Sequence, residues 1–367
     1  MSSVAPHVAP LPYTPSVEVV EDDEQETIQQ LIGQMTKIQQ KTFEDGGHAI
    51  RSVHAKSHGL IEAKLIVTDL PAYLAQGLFA KGGTYPVVMR FSAIPGDILD
   101  DNVSAPRGLS IKIKGVEGTR LPGSDGATTQ DFVMVNGPVF SAPNAKKFLG
   151  TLKLLAATTD KAPGLKQAVS TALQGVERVV EAFGGESGTL KALGGHPETH
   201  VLGETYYSQT PFLYGDYMAK LSIAPVSAGL KALTDAKVDL DDKPDGLRAA
   251  VVDFFSTHGG EWEIRAQLCT DLDKMPIEDA SVEWPEDESP YVTIGRLVAE
   301  PQPAWTAARS AVVDDRLAFS PWHGVAAHRP IGGVNRARKP AYENSKRFRA
   351  EHNGVAIDEP AKEALLP

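Results

Sequence analysis

The apolar and polar positions along the chain change period several times. From Glu24 to Lys41, Ile28, Leu31, Ile32, Met35 and Ile38 fall at helical spacing and predict an amphipathic helix that stops before Gly46-Gly47. Residues 1–23, rich in Pro and Val without period, read as a flexible arm. Strand signals follow. Leu60–Val67 places Ile61, Ala63, Leu65 and Val67 on one face and Glu62, Lys64 and Ile66 on the other. Tyr85–Ala93, Gly108–Gly115 and Asp131–Phe140 continue the pattern, with turn-forming residues between them. Helical spacing takes over from Asn144 to about Phe183. One helix carries Phe148, Leu149, Leu152, Leu154 and Leu155, and a second, beyond Pro163-Gly164, carries Leu173, Val176, Val179, Val180 and Phe183. Strands return at Val201–Ile223, Glu261–Cys269 and Tyr291–Ala299, with a helix around Gly246–Phe255, and Ala337–His352 reads as a basic helix. Blocks of strands with helices grouped between them indicate an α+β fold. The expected organisation is one domain over residues 24–352 and a tail over 353–367.

Composition narrows the function classes. The chain has 367 residues, of which 42% are hydrophobic and 23% charged, as in an ordinary globular protein. Lys plus Arg number 36 against 47 Asp plus Glu, a net charge of −11, which argues against a phosphate-backbone binder, so no nucleic-acid partner is expected. No apolar run has the length of a membrane span and no secretory leader is visible, so a cytoplasmic location without a membrane partner is expected. The single cysteine, Cys269, excludes an internal disulfide framework and cysteine cages for zinc or iron–sulfur clusters, and its apolar strand suggests a small core residue. There is no glycine fingerprint for a nucleotide.

Four short stretches carry candidate chemistry. In Arg51-Ser52-Val53-His54-Ala55-Lys56, just before the first strand, His54 suits either general acid–base work or a structural hydrogen bond. His48 and His58 lie nearby, but no carboxylate or cysteine stands at a recognisable ligand spacing. In Val87–Ser92, Arg90 and Ser92 share a strand face opposite Met89 and Phe91. Asn136, in Val135-Asn136-Gly137-Pro138-Val139-Phe140, either faces a small polar ligand or forms a turn with Gly137. Arg338, Tyr342 and Arg349 are spaced by four and seven residues, roughly one helical face, and an arginine one turn before a tyrosine favours the phenolate, a hard ligand for ferric iron. Pro340 is expected in the first turn of that helix. The remaining Trp284, Trp305 and Trp322 read as packing anchors, His323 and His328 as structural, and Glu283–Glu288 as a solvated loop.

Taken in order, these four stretches resemble the haem catalases, and most closely their small catalase-related branch, that of the catalase-like peroxidases. Glu204–Pro225, Met275–Trp284 and Phe319–Tyr342 share the likeness, which runs from about Thr42 to Arg349. The resemblance implies an antiparallel eight-stranded β-barrel with helical insertions and haem b (iron protoporphyrin IX) between barrel and helices. By position, His54 matches the distal histidine that moves a peroxide proton, Asn136 the distal asparagine that orients the peroxide, and Ser92 the serine that hydrogen-bonds the histidine. Tyr342 matches the proximal iron ligand, and Arg338 the arginine that holds it as phenolate. Arg51, Arg90 and Arg349 match the arginines that pair with the haem propionates, and Val53 and Phe148 match residues that pack on the haem.

The departures are specific. The large enzymes carry Asn-Asn-Thr-Pro where this chain has Val135-Asn136-Gly137-Pro138, so the support of the distal asparagine is expected to differ. The chain ends soon after the proximal helix, which argues against a flavodoxin-like extension and a bound NADPH. What the resemblance implies is a haem-dependent peroxidase with modest catalase activity, acting as a monomer or homodimer on a small-molecule peroxide with an organic electron donor. Two alternatives remain: an allene oxide synthase-like enzyme on fatty-acid hydroperoxides, and a haem carrier or sensor. Val53 stands where allene oxide synthases carry threonine, and His54 with Asn136 exceeds what a carrier needs.

Overall fold

A computed structural model of the chain describes residues 9–159 and 197–367. Its centre is a sheet of nine strands: β1 Ser57–Val67, β2 Gly83–Ala93, β3 Arg107–Lys114, β4 Thr129–Val135, β5 Tyr206–Tyr207, β6 Phe212–Tyr214, β7 Tyr217–Pro225, β8 Gly260–Leu268 and β9 Val292–Ala299. The order is β5-β4-β3-β2-β1-β9-β8-β7-β6, and β5 also pairs with β7, so eight strands close a ring with β6 as a hairpin outside it. Every pairing is antiparallel. The two residues of β5 close the barrel, Val135 facing Tyr207 and Tyr206 facing Ile223. The eight-stranded antiparallel barrel expected from the resemblance is therefore present.

Alternation decides which face fills the barrel. Ile61, Ala63, Leu65 and Val67 of β1 point inward, with Met89 and Phe91 of β2, Ile111 of β3 and Phe132 of β4. Tyr206 and Trp262 complete the buried interior. Each large side chain buried there contributes about 1.5–3 kcal/mol of transfer free energy. The opposite face is less simple. Ser110, Lys112 and Lys114, polar in the pattern, are buried as well, because later parts of the chain lie over them. Lys112 pairs with Asp131 at 2.8 Å and with Glu359 at 2.5 Å, and Lys114 donates to the Ala364 carbonyl. The tail is thus packed on the barrel.

Helices cover one flank. α1 spans Glu24–Gly46 and ends one residue later than expected, with Gly47 as a left-handed cap (φ 67°) whose N–H donates to Phe43 O. α2, Ala145–Thr159, packs Leu149 and Leu152 against Ile28 and Leu31 of α1. The second helix expected around Leu173–Phe183 lies outside the described residues. α3, Gly246–Thr257, sits against β1, where Val251 fills the space that Gly59 leaves. α4 runs from Gly333 to Asn353 with Pro340 inside it, eighth from the start and not in the first turn as expected. Beginning at Gly333, the helix keeps Arg338 and Tyr342 both inside it and one turn apart. The long segment read as Val201–Ile223 resolves into β5, β6, β7 and a 3₁₀ turn at Val201–Gly203, since Gly215 (φ 63°) turns β6 into β7. Asp131–Phe140 is strand only to Val135.

The arm departs from expectation over its described part. Leu11 N–H donates to Cys269 O and Tyr13 N–H to Asp216 O, both at 2.8 Å, and Glu18 pairs with Arg329 and Arg336. Backbone pairing and two guanidiniums fix a segment whose composition alone reads as flexible. No helix among the described residues is long and apolar enough to cross a membrane.

Candidate active site

The approach to β1 carries the first group. His54 has φ 56°, a left-handed conformation that a non-glycine residue holds only when its surroundings over-determine it. Here they do: His54 N–H donates to Ile94 O at 2.7 Å and Ala55 N–H to Pro95 O at 3.0 Å. Val53 is half-buried beside it. On β2 the period of two puts Val88, Arg90 and Ser92 on the face outside the barrel. His54 Nδ1 lies 3.1 Å from Ser92 Oγ, whose hydroxyl reaches Gly108 O at 3.5 Å. With Ser92 donating to that carbonyl, Nδ1–H donates to Ser92 and Nε2 remains an acceptor. Gly108 makes room for the ring: a Cβ there would lie 2.4 Å from His54 Nδ1 and Cε1. Burial, reinforced by the charges of Arg90, Arg338 and Arg51, pushes the imidazole down to about 3. His54 is therefore neutral across the physiological range.

Asn136 stands at the end of β4, tied on both sides. Its N–H donates to Arg107 O at 3.0 Å, and its Oδ1 accepts from Arg107 N–H at 2.8 Å. Its Nδ2 donates to the carboxylate of Glu204, which also accepts from Thr199 Oγ1 at 2.8 Å. Burial raises Glu204, against the opposing pull of Arg107.

On α4, Arg338 Nη2 lies 3.3 Å from Tyr342 Oη, while its Nη1 reaches Thr210 Oγ1 and Asn335 Oδ1, both at 3.2 Å. The Tyr342 ring packs on the apolar group of Leu60, Val88, Val133, Val313, Leu317 and Phe319. Val88 belongs to the face that bears Arg90 and Ser92, so helix and strand address one another.

Three guanidiniums meet at a π-helical turn, Ala311–Arg316. Arg51 donates to Asp314 Oδ1 (3.1 Å) and to the carbonyls of Asp314, Val313 and Leu317 at 2.8–3.0 Å. Arg90 Nε donates to Asp314 Oδ1 at 2.7 Å and Nη2 to Ala55 O at 3.0 Å. Arg349 donates to Asp314 O at 2.6 Å and Leu317 O at 3.1 Å. Burial pushes the Asp314 carboxyl up, but Arg90 and Arg51 outweigh it and hold it at about 2. Burial and the neighbouring Arg90 push Arg349 down to about 10.

No family model matches the sequence, and no curated protein does either. Solved structures do match in fold. A bacterial catalase superposes with a TM-score of 0.62 at 17% identity, over 98% of this chain and 67% of its own. A fungal catalase gives 0.59 at 17% identity over 86% and 62%, and catalase A from Saccharomyces cerevisiae 0.59 at 18% over 95% and 68%. The chain has the catalase fold. It spans between 62% and 68% of the length of these catalase structures.

Within that fold the predicted residues fall into groups. His54 joins Ser92, Arg338 joins Tyr342, and Arg51, Arg90 and Arg349 converge on one carboxylate. Alongside burial, Arg90, Arg338 and Arg51 all add positive charge around His54 and help to lower its proton affinity. The Phe148 ring packs 4.9 Å from Phe140, against the cluster shared by α1 and α2. His48 is exposed beside Asp315, whereas His58 is buried, and no cluster of three His, Cys, Asp or Glu suited to a metal occurs among the described residues. His328, Trp305 and Trp322 are structural, as expected: His328 Nε2 accepts from Leu78 N–H, and the indoles donate to Ser57 Oγ and Asn335 O. Sequence reasoning missed Asp314, Glu204, Ser310 and Arg107. Asp314, Glu204 and Arg107 act on partners distant in the chain, and Ser310 acts only through Asp314, so no local spacing announces a role for any of them.

Proposed function

We propose that this chain binds haem b and consumes hydrogen peroxide or a small organic peroxide with an organic electron donor, as a peroxidase with modest catalase activity. What supports the reading is that one catalase-fold chain carries a neutral, serine-fixed His54, a tyrosine oxygen beside a guanidinium, and an arginine cluster. The donor set fits haem. Tyr342 offers one hard oxygen ligand, and the cluster contains an unsatisfied buried donor, Arg349 Nε, suited to a propionate carboxylate.

Haem, when bound, supplies the ferric iron and the electrons that O–O cleavage requires. The chain supplies the rest. His54 Nε2 would take a proton from one peroxide oxygen and return it to the other, and Ser92 fixes the ring in the tautomer this needs. Its lowered pKa leaves Nε2 unprotonated and so available to accept a proton. Asn136, held by Arg107 and Glu204, orients the peroxide. Arg338 places a positive charge beside the oxygen of Tyr342.

The test is a titration of the purified chain with haem, read by its Soret and charge-transfer bands, followed by peroxide with an oxygen electrode and an oxidisable dye. Stoichiometric haem and turnover support the reading; oxygen release marks catalase action and dye oxidation marks peroxidase action. His54→Ala should keep haem and lose turnover, and Tyr342→Phe should lose haem or change its spectrum. Failure to bind haem refutes the proposal, and full turnover in His54→Ala leaves a carrier.

A further inference from the structure

The resemblance treats Arg51, Arg90 and Arg349 alike, as three arginines for the carboxylates of the cofactor. Their surroundings differ. Asp314 is filled by four side-chain donors from three parts of the chain. Its Oδ1 accepts from Arg51 Nη1 (3.1 Å) and Arg90 Nε (2.7 Å), and its Oδ2 accepts from Ser57 Oγ and Ser310 Oγ, both at 2.7 Å. A carboxylate offers about four lone-pair positions, so this one has none left. The guanidiniums retain capacity. Arg349 is 3% exposed, and its Nε is buried without a partner while both its terminal nitrogens are occupied by carbonyls. A buried donor without a partner costs about 1–3 kcal/mol, which an incoming carboxylate would relieve.

Resting on the haem reading above, we infer that Asp314 is a positioning residue of the carboxylate-binding centre: it is a fixed counter-ion that holds Arg51 and Arg90 in register, so that the centre, through Arg349, recognises a ligand carrying free carboxylates. Asp314 is not a stand-in that the ligand expels. Expulsion would break four hydrogen bonds, two of them charge-assisted, and leave Ser57 and Ser310 without their acceptor. The second acid in the turn, Asp315, does not share this role, since its carboxylate faces His48 at 2.8 Å on the exposed side. The neighbouring positive charges of Arg90 and Arg349 would repel Arg51 if Asp314 were neutral, and the cluster around Arg349 would loosen.

The experiment compares the affinity of the full chain, freed of haem, for haem and for its dimethyl ester, which keeps the macrocycle and iron but carries no free carboxylate. The ratio of the two affinities reads carboxylate recognition and cancels general damage to the pocket. The unaltered chain should favour haem by about tenfold or more, the equivalent of one charge-assisted hydrogen bond. Asp314→Asn should lower that ratio several-fold, although it adds a net positive charge, and Asp314→Glu should restore part of it. Ser310→Ala removes one of the four donors without touching an arginine, and should lower the ratio in the same direction if Asp314→Asn does not fold. An unchanged or raised ratio in the variants of a selective parent overturns the inference, because a displaced or merely repulsive Asp314 would act in that sense. Equal affinity of the unaltered chain for the two compounds, or binding of neither, overturns the haem reading of the centre and this inference with it.

Discussion

Gly108→Ala should disable the site while leaving the barrel folded. Gly108 lies in β3 opposite Ser92, and no positive φ is required there, so alanine meets no backbone penalty. The new methyl carbon would lie 2.4 Å from His54 Nδ1 and Cε1 and 3.1 Å from Ser92 Oγ. Ordinary carbon contacts begin near about 3.4 Å, so the ring must retreat by about 1 Å. The 3.1 Å bond to Ser92 then stretches beyond hydrogen-bond range, and the ring loses its fixed tautomer. The backbone of His54 cannot follow, because its left-handed geometry is fixed by Ile94 O. Overpacking costs about 1–3 kcal/mol, offset by about 0.5–1 kcal/mol gained on replacing a strand glycine, for a net loss of at most about 2.5 kcal/mol. The functional loss is larger, since a misplacement of about 1 Å in a reacting group costs about a hundredfold in rate. The assay is kcat/KM for peroxide on the haem-loaded protein, with urea unfolding alongside. Gly137→Ala is the control, because its methyl would meet only Gln209 Nε2, at 3.8 Å, and both measurements should stay near those of the parent. A stable Gly108→Ala protein with unaltered kcat/KM would show that the His54–Ser92 contact has no part in the reaction.

The remaining predictions concern titration and support. Burial holds His54 at about 3, so peroxide turnover should show no His titration between about pH 5 and 8; a step near the unperturbed pKa of about 6.5 would contradict the assignment. The same depression, with His323 and His328 both lowered to about 4 by burial, makes stability depend on pH in one direction. The folded pKa values lie below the unfolded value, so the stabilisation is complete above about 6.5 and is lost as pH falls from there towards 4 and then 3, visible as a falling Tm. Glu204→Ala should remove an acceptor from Asn136 and lower kcat more than it raises KM, whereas Glu204→Gln should retain much of the activity; equal kcat in Glu204→Ala and the parent would exclude the support role. Cys269 is buried and its thiol is pushed up to about 11 by burial, so it should react with thiol reagents only on unfolding, and rapid labelling of the native chain would contradict its placement in the core.

The parts legible in the sequence are those whose physics is periodic. A period of two in β1 to β4 separates the residues that fill the barrel from those that face α4, and it puts Arg90 beside Ser92 before any coordinates are known. The four-residue step from Arg338 to Tyr342 likewise becomes a 3.3 Å contact. Where periodicity ends, the reading loses its grip. Lys112 and Lys114 alternate like a solvated face, yet Asp131, Glu359 and the Ala364 carbonyl cover them, because partners so far along the chain leave no trace in a local window. Pro340 was expected to start a helix, since a missing N–H is harmless only in the first turn; in α4 the turns on either side outweigh the one lost bond. Gly108 is the most instructive case, because it looks like an ordinary weak point in a strand and gives no sign that an imidazole occupies the place of its side chain.

The same reasoning explains why the arginines alone could not define the proposed cofactor centre. Arg51, Arg90 and Arg349 come from the approach to β1, from β2 and from the end of α4, and three buried guanidiniums repel one another unless an anion lies among them. Asp314 is that anion in the folded chain, and it reaches its place through a six-residue π-helical turn that directs the carbonyls of Val313 and Asp314, with that of Leu317 just after it, at the same guanidiniums. The turn therefore does two things at once. It stabilises the charges that a carboxylate ligand requires, and it satisfies most of their donors, leaving Arg349 Nε for the ligand. A centre built this way is ordered before its ligand arrives, which lowers the ordering cost at the moment of binding.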